Sequence, residues 1–235
     1  MNVVPEKLQQ TAAQISFVTM DATMSAYQQL NIPVISTTRP LSFYRRILFD
    51  NQTVTQLEAS LKGKTIVDIG CGLTPFVDDS MFQWCRRRNI DFYGVDPKVK
   101  DGFQFGLFDR LKSWGTGART TPNPNIEGLD KTIATYADDL PFEDHSVDVI
   151  LSCWLVMSWV RDEALLMKIF SEFDRVLKPG GVIKIFPTMH ADQLKAKYPE
   201  LMKLLGKYSL DQRFQMEMNL GSVPPAYCTT FRKGV

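Results

Sequence analysis

Three acidic residues close short apolar runs, and each is followed by a turn. The first is Asp68 in IVDIGCGLTPF, Ile66–Phe76. A strand there runs into Gly70-Cys71-Gly72, and glycine lets the chain turn tightly and lets a ligand approach with no Cβ in the way. A helix starting at Pro75 would present free N–H groups. The carboxylate of Asp68 beside that turn suits a cationic amino group and repels a diphosphate. The second is Asp96 in Tyr93-Gly94-Val95-Asp96-Pro97, placed to accept hydrogen bonds from two ribose hydroxyls. The third is Asp138, with Asp139 beside it, in Ala137–Phe142. It could accept from an exocyclic amino group of adenine, with Ala137 and Leu140 against the ring.

The elements that must position these residues read as alternating strands and helices. Lys64–Ile69, Ile90–Val95, Thr132–Tyr136, Val147–Ser152 and Val182–Phe186 are β-branched or apolar runs bounded by turn residues, and each predicts a strand. Pro75–Arg88, Arg161–Leu177 and Ala191–Tyr208 predict helices, the second with Leu165, Leu166, Ile169, Phe170, Phe173, Val176 and Leu177 inward. Lys178-Pro179-Gly180-Gly181 predicts a turn. Two strands near Arg213–Asn219 and Tyr227–Arg232 would close the chain. Residues 1–62, broken by Pro33 and Pro40, predict two or three short helices, with Ser42 or Asp50 as a cap. Residues 98–130 predict an aromatic-rich helix (Phe103, Phe105, Leu107, Phe108, Leu111, Trp114) and a long loop. Alternation of this kind implies a mostly parallel sheet with helices on both faces. Ligands bind such sheets beyond the carboxyl ends of the strands.

Composition narrows the function classes. The 235 residues are 44% hydrophobic and 23% charged, with 27 basic against 26 acidic residues. That balance argues against a long nucleic acid as partner. The one basic run, Arg86-Arg87-Arg88, falls at a helix end, where cations complement the dipole. Cys71, Cys85, Cys153 and Cys228 form no C-x-x-C pair, and with only His145 and His190 to help them no metal site is expected. Neither a leader nor an apolar run of membrane-spanning length is apparent, which predicts a cytoplasmic protein.

Five motifs in order carry a resemblance: D-x-G-x-G at Asp68, Gly70 and Gly72; the acidic strand end at Asp96; A-D-x-L-P-F at Ala137–Phe142; D-x-I-x-S at Asp148–Ser152; and L-K-P-G-G at Leu177–Gly181. The chain resembles the class I S-adenosylmethionine-dependent methyltransferases over residues 63–187 by motif and over 188–235 by topology. The resemblance implies a Rossmann-like α/β fold with a mostly parallel seven-stranded sheet and an antiparallel last strand. It divides the chain into an N-terminal helical extension or lid, 1–62, and a cofactor-binding domain, 63–235. It places Asp68, Gly70, Cys71 and Gly72 at the methionine end of the cofactor, Asp96 and Pro97 at the ribose, and Ala137, Asp138 and Asp139 at the adenine. Cys153 and Trp154 fall near the sulfonium. Thr74-Pro75 departs from the family's third glycine and predicts a stiffer loop.

Methyl transfer requires alignment of donor and acceptor, and a neutral acceptor can also require a base. His190 beyond the fifth strand is one candidate, with an N-cap role as its alternative; Tyr44 in Phe43–Arg46 is another. Arg45 or Arg46 could pair with the cofactor carboxylate. The stretch Ser152–Leu155 lacks the N-P-P-[YF] grip for planar amides. The expected acceptor is therefore an O or N atom of a small molecule, of the kind handled in secondary metabolism, on a monomer or homodimer. An RNA methyltransferase using Arg86–Arg88, or an inactive cofactor-binding scaffold, are the alternatives.

Overall fold

The alternating runs assemble into one seven-stranded sheet, ordered β3-β2-β1-β4-β5-β7-β6. The computed structural model describes residues 4–30, 38–101, 105–107, 122–215 and 224–235. The strands are β1 Thr65–Ile69, β2 Asp91–Val95, β3 Thr132–Ile133, β4 Val147–Cys153, β5 Leu177–Thr188, β6 Tyr208–Gln215 and β7 Ala226–Lys233. Strands β1 to β5 pair in parallel, and β7 runs antiparallel between β5 and β6. The expected reversed last strand is thus present. Strand order reverses beside β1, which lies between β2 and β4, and the carboxyl ends of strands at such a reversal are where these sheets bind ligands.

The helices are α1 Glu6–Gln29, α2 Leu41–Ile47, α3 Val54–Leu61, α4 Met81–Arg86, α5 Glu163–Val176, α6 Ala191–Lys197 and α7 Pro199–Leu204. Helix α5 buries Leu166, Ile169, Phe170, Phe173 and Val176 on one face, the stripe that a sheet-covering helix needs. Leu165 points outward instead, and Leu177 opens β5. Phe43, Tyr44, Ile47, Leu57 and Leu61 from the N-terminal segment join the same core as β1, β4 and β5. Among the described residues, no helix is long and apolar enough to cross a membrane.

Several boundaries differ from the sequence reading, each for a local reason. Helix α1 is one helix of 24 residues, not a short one; it contains neither Gly nor Pro, and Pro33 and Pro40 lie beyond it. The stretch Leu41–Leu61 splits in two because Asp50 and Asn51 take left-handed backbone, φ 52° and 54°. Pro40 and Thr53 stand at the N-caps, not Ser42 or Asp50, and Thr53 forms a capping box with Gln56. Pro75 starts only the three-residue 3₁₀ turn Thr74–Phe76; α4 begins later, capped by Ser80. The third strand stops at Ile133.

The turn expected at Lys178–Gly181 lies inside β5. Its pairing with β4 passes from Val147↔Leu177 to Val149↔Val182, two steps against five. Three extra residues therefore bulge out, with Gly180 at φ 75°. The helix expected over Ala191–Tyr208 breaks before Pro199, which lacks an N–H to continue α6. Strand β6 then starts at Tyr208, earlier than expected. The expected segment 216–219, the turn at Gly221, and Phe103, Phe108, Leu111 and Trp114 lie outside the described residues.

Candidate active site at the carboxyl ends of β1, β2 and β4

The glycine turn leaves β1 with its backbone donors already occupied. The N–H groups of Gly70 and Cys71 donate to Val95 O at 2.8 and 3.3 Å, and Gly72 N–H donates to Asp96 Oδ2 at 3.0 Å. Gly70 has φ 73°, and a Cβ there would stand 2.8 Å from Leu155 Cβ, so only glycine fits. No α-helix starts at this turn, contrary to the sequence reading. A diphosphate would therefore find two carboxylates and spent donors.

Asp68 is fully buried in β1. The hydroxyl of Tyr44, carried by α2, donates to its Oδ2 at 2.5 Å. Its Oδ1 is buried and has no hydrogen-bond partner among the described residues. Burial pushes the carboxyl up to about 6, Arg39 and Tyr44 pull it back, and Asp96 pushes it further. Arg39, 4% exposed, precedes the Pro40 that opens α2. Its Nη2 donates to Cys153 O at 2.7 Å, while its Nη1 is buried without a partner among the same residues. One carboxylate and one guanidinium thus share a buried corner, each with one idle atom. Buried polar atoms are seldom left unpaired. An ammonium and a carboxylate on one carbon would satisfy both, and the methionine end of S-adenosylmethionine carries that pair. These residues fit the cofactor on this ground.

Asp96 is half-buried at the end of β2. Its two oxygens accept from Gly72 N–H and from Lys98 N–H at 2.9 Å, which leaves each a further lone pair. Pro97 is exposed and opens a 3₁₀ turn. Asp138 and Asp139 are exposed in the turn after β3, while Ala137 and Leu140 face into the core and not toward an open ring site. Cys71 and Cys153 are buried, and burial raises both thiols, keeping them neutral. Trp154 is half-buried with φ 67°, and its backbone N–H donates to Phe186 O at 2.8 Å. Non-glycine residues rarely hold that backbone, and here it turns the chain just beyond β4.

The two candidate bases are placed differently. Tyr44 is fully buried, and burial together with the Asp68 charge raises its hydroxyl well above the usual range. It keeps its proton and donates a hydrogen bond to Asp68. His190 is the N-cap of α6, its alternative role; its Nδ1 lies 3.4 Å from Asp192 N–H. Its Nε2 lies 3.6 Å from Glu6 of α1. Among the described residues, no group of three or more His, Cys, Asp or Glu is arranged to hold a metal.

Arg39 carries no motif and was missed by sequence reasoning. Of the two arginines that the sequence did suggest, Arg45 is engaged elsewhere, its Nε donating to Gln52 O at 2.8 Å. The basic run is also engaged: Arg87 donates to Asp78 O, and Arg88 pairs with Glu58 at 3.0 Å and lies over Trp84.

Residues 115–185 match the family model described as "Methyltransferase domain". No curated protein matches the chain. Among solved structures, the chain is similar to a SAM-dependent methyltransferase from Methanosarcina mazei, with 18% identity over 76% of this chain and 97% of that one, TM-score 0.48. It is similar to a SAM-dependent methyltransferase from Archaeoglobus fulgidus, with 15% identity over 81% and 98%, TM-score 0.43. It is also similar to geranyl diphosphate C-methyltransferase from Streptomyces coelicolor, with 15% identity over 75% and 76%, TM-score 0.36. The matched stretch, residues 115–185, carries the methyltransferase-domain description, and the sheet order β3-β2-β1-β4-β5-β7-β6 is the Rossmann-like arrangement that the resemblance implies.

Proposed function

We propose that the chain methylates an oxygen or nitrogen atom of a small molecule, with Asp68 and Arg39 holding the amino acid end of the cofactor. The observation that carries this reading is the pair of idle buried atoms, Asp68 Oδ1 and Arg39 Nη1. S-Adenosylmethionine supplies an activated methyl group when bound. Tyr44 orients the Asp68 carboxylate, and Asp96 receives the ribose hydroxyls. Asp138 is the acceptor for the adenine amino group, with Asp139 next to it. Cys153 and Trp154 line the approach of the acceptor.

A small acceptor is favoured by the balanced charge and by the engagement of Arg87 and Arg88 within the protein. Helix α1 is read as the lid; it lies against β7 and is pinned by Asp21 to Arg161 at 2.8 Å and to Lys197 at 3.0 Å. Incubating the purified chain with a cell extract and methyl-labelled cofactor, then finding the label by mass spectrometry, tests the reading. Label in a small molecule supports it; label only in RNA, or in nothing, overturns it.

Two substitutions probe the roles. Asp96→Ala should weaken cofactor binding by about 1–3 kcal/mol through lost charge-assisted bonds, as read by calorimetry; unchanged affinity would remove the ribose assignment. We assign proton removal to His190, whose ring stands beyond β5 opposite Glu6. His190→Ala should slow turnover about a hundredfold while cofactor affinity holds. Loss of thermal stability with an unchanged rate would leave His190 only its capping role.

A further inference from the structure

We propose a second small-molecule site, a pocket for an oxyanion built on Lys184, Arg213 and Arg232. Register brings these residues to one face of the sheet. Lys184 pairs with Thr230 and Thr230 with Asp211, while Arg213 pairs with Cys228 and Arg232 with Ser209. Alternate residues along a strand share a face, so β5, β7 and β6 together present three cations and two hydroxyls. Leu48 and Asp50, at the end of α2, complete the walls of a cavity of about 260 Å³. That volume lies just below the usual range for drug-sized ligands, so it suits a small metabolite.

The charges in this pocket are unevenly used. Arg213 pairs with Asp50 at 2.7 Å and donates to Ile47 O at 2.8 Å, so it fixes the end of α2. Arg232 is exposed and reaches Gly180 O at 3.3 Å. Asp211, on β6 between Ser209 and Arg213 and opposite Thr230, is exposed on the same face. Lys184 Nζ stands 5.5 Å from the centre of the Phe49 ring, with no hydrogen bond or ion pair among the described residues. Burial lowers its pKa, Arg213 and Arg232 push the same way, and Cys228 and Asp50 oppose them. The pocket thus sets three cations against two carboxylates, and Asp50 is already paired with Arg213, which leaves a surplus of positive charge beside the half-buried ammonium. A carboxylate or phosphate group would supply it and could also accept from the hydroxyls of Ser209 and Thr230.

The pocket is separate from the cofactor corner. Asp68, Leu151 and Lys184 are aligned across β1, β4 and β5, so Lys184 lies two strand spacings, about 10 Å, from Asp68. Tyr44 reaches Asp68 from α2, and Leu48, just past its end, lines the pocket. The two sites can therefore be measured apart.

Titration calorimetry at low ionic strength, with inorganic phosphate and malonate as probes, tests the proposal on the full chain. Saturable binding of either probe is expected, and the tighter of the two names the oxyanion class. Lys184→Met keeps the stem against Phe49 and should weaken that binding about tenfold or more, with cofactor affinity unchanged. If that variant fails to fold, Arg232→Gln at an exposed position carries the same expectation. No saturable binding of either probe, or equal binding by the variant, overturns the site. Loss of cofactor binding in the wild type would instead strike the methyltransferase reading.

Discussion

Asp68→Asn should remove most cofactor affinity, about 3–5 kcal/mol, while leaving the fold intact. The size follows from breaking a buried charge pair by deleting one partner. Asparagine has the same shape and can still accept from Tyr44, so packing is preserved. The two proteins also separate by pH. The wild-type carboxyl is raised to about 6 by burial, so its stabilising contribution is fully present below its ordinary value of 3.8 and is lost as pH rises through 6. A rise from 3.8 to about 6 makes that contribution roughly 3 kcal/mol. Thermal melts should therefore show the wild type losing stability between about pH 4 and 7 relative to the variant. Cofactor affinity of the wild type runs the other way. It should fall about tenfold per pH unit below 6, as the carboxylate that meets the ammonium is protonated. A flat binding profile, or equal affinity in the variant, would remove Asp68 from the site.

Arg39→Met should cost about 3 kcal/mol of cofactor affinity, the lower end for an unpaired buried charge. Methionine keeps an apolar stem over Phe43, which Arg39 overlies at 5.9 Å. The loss should depend on the ligand. 5′-Methylthioadenosine keeps the nucleoside but lacks the amino acid, so its affinity should be the same in wild type and variant. Calorimetry with both ligands reads the difference. Equal losses for the two would mean that Arg39 shapes the crevice and does not hold the carboxylate.

Local chemistry is legible in the residues; contacts made by distant segments are not. The glycine turn follows from spacing alone, since Gly70 must take φ 73° under Leu155. Asp96 meets that turn because β1 and β2 pair in register, Asp68 opposite Gly94. Arg39 carries no such signal. It lies well before β1 in the chain and reaches Asp68's corner only because α2 packs on the sheet. The start of α4 is obscured because Thr74-Pro75 is compatible with both a helix and a 3₁₀ turn. The Lys178–Gly181 segment has turn composition, yet a bulge can absorb it within β5. The break at Pro199 is written in the sequence by the missing N–H.

The place of β7 has a consequence for biosynthesis. A ribosome delivers β5 and β6 before β7, although β7 sits between them. Until it arrives, a nascent chain carries two bare hydrogen-bonding edges, which are templates for pairing with other chains. Completion of the sheet is then an insertion, with both ladders of β7 forming against strands already made. Slowed translation just before Ala226 should make this protein a heavier user of holdase chaperones.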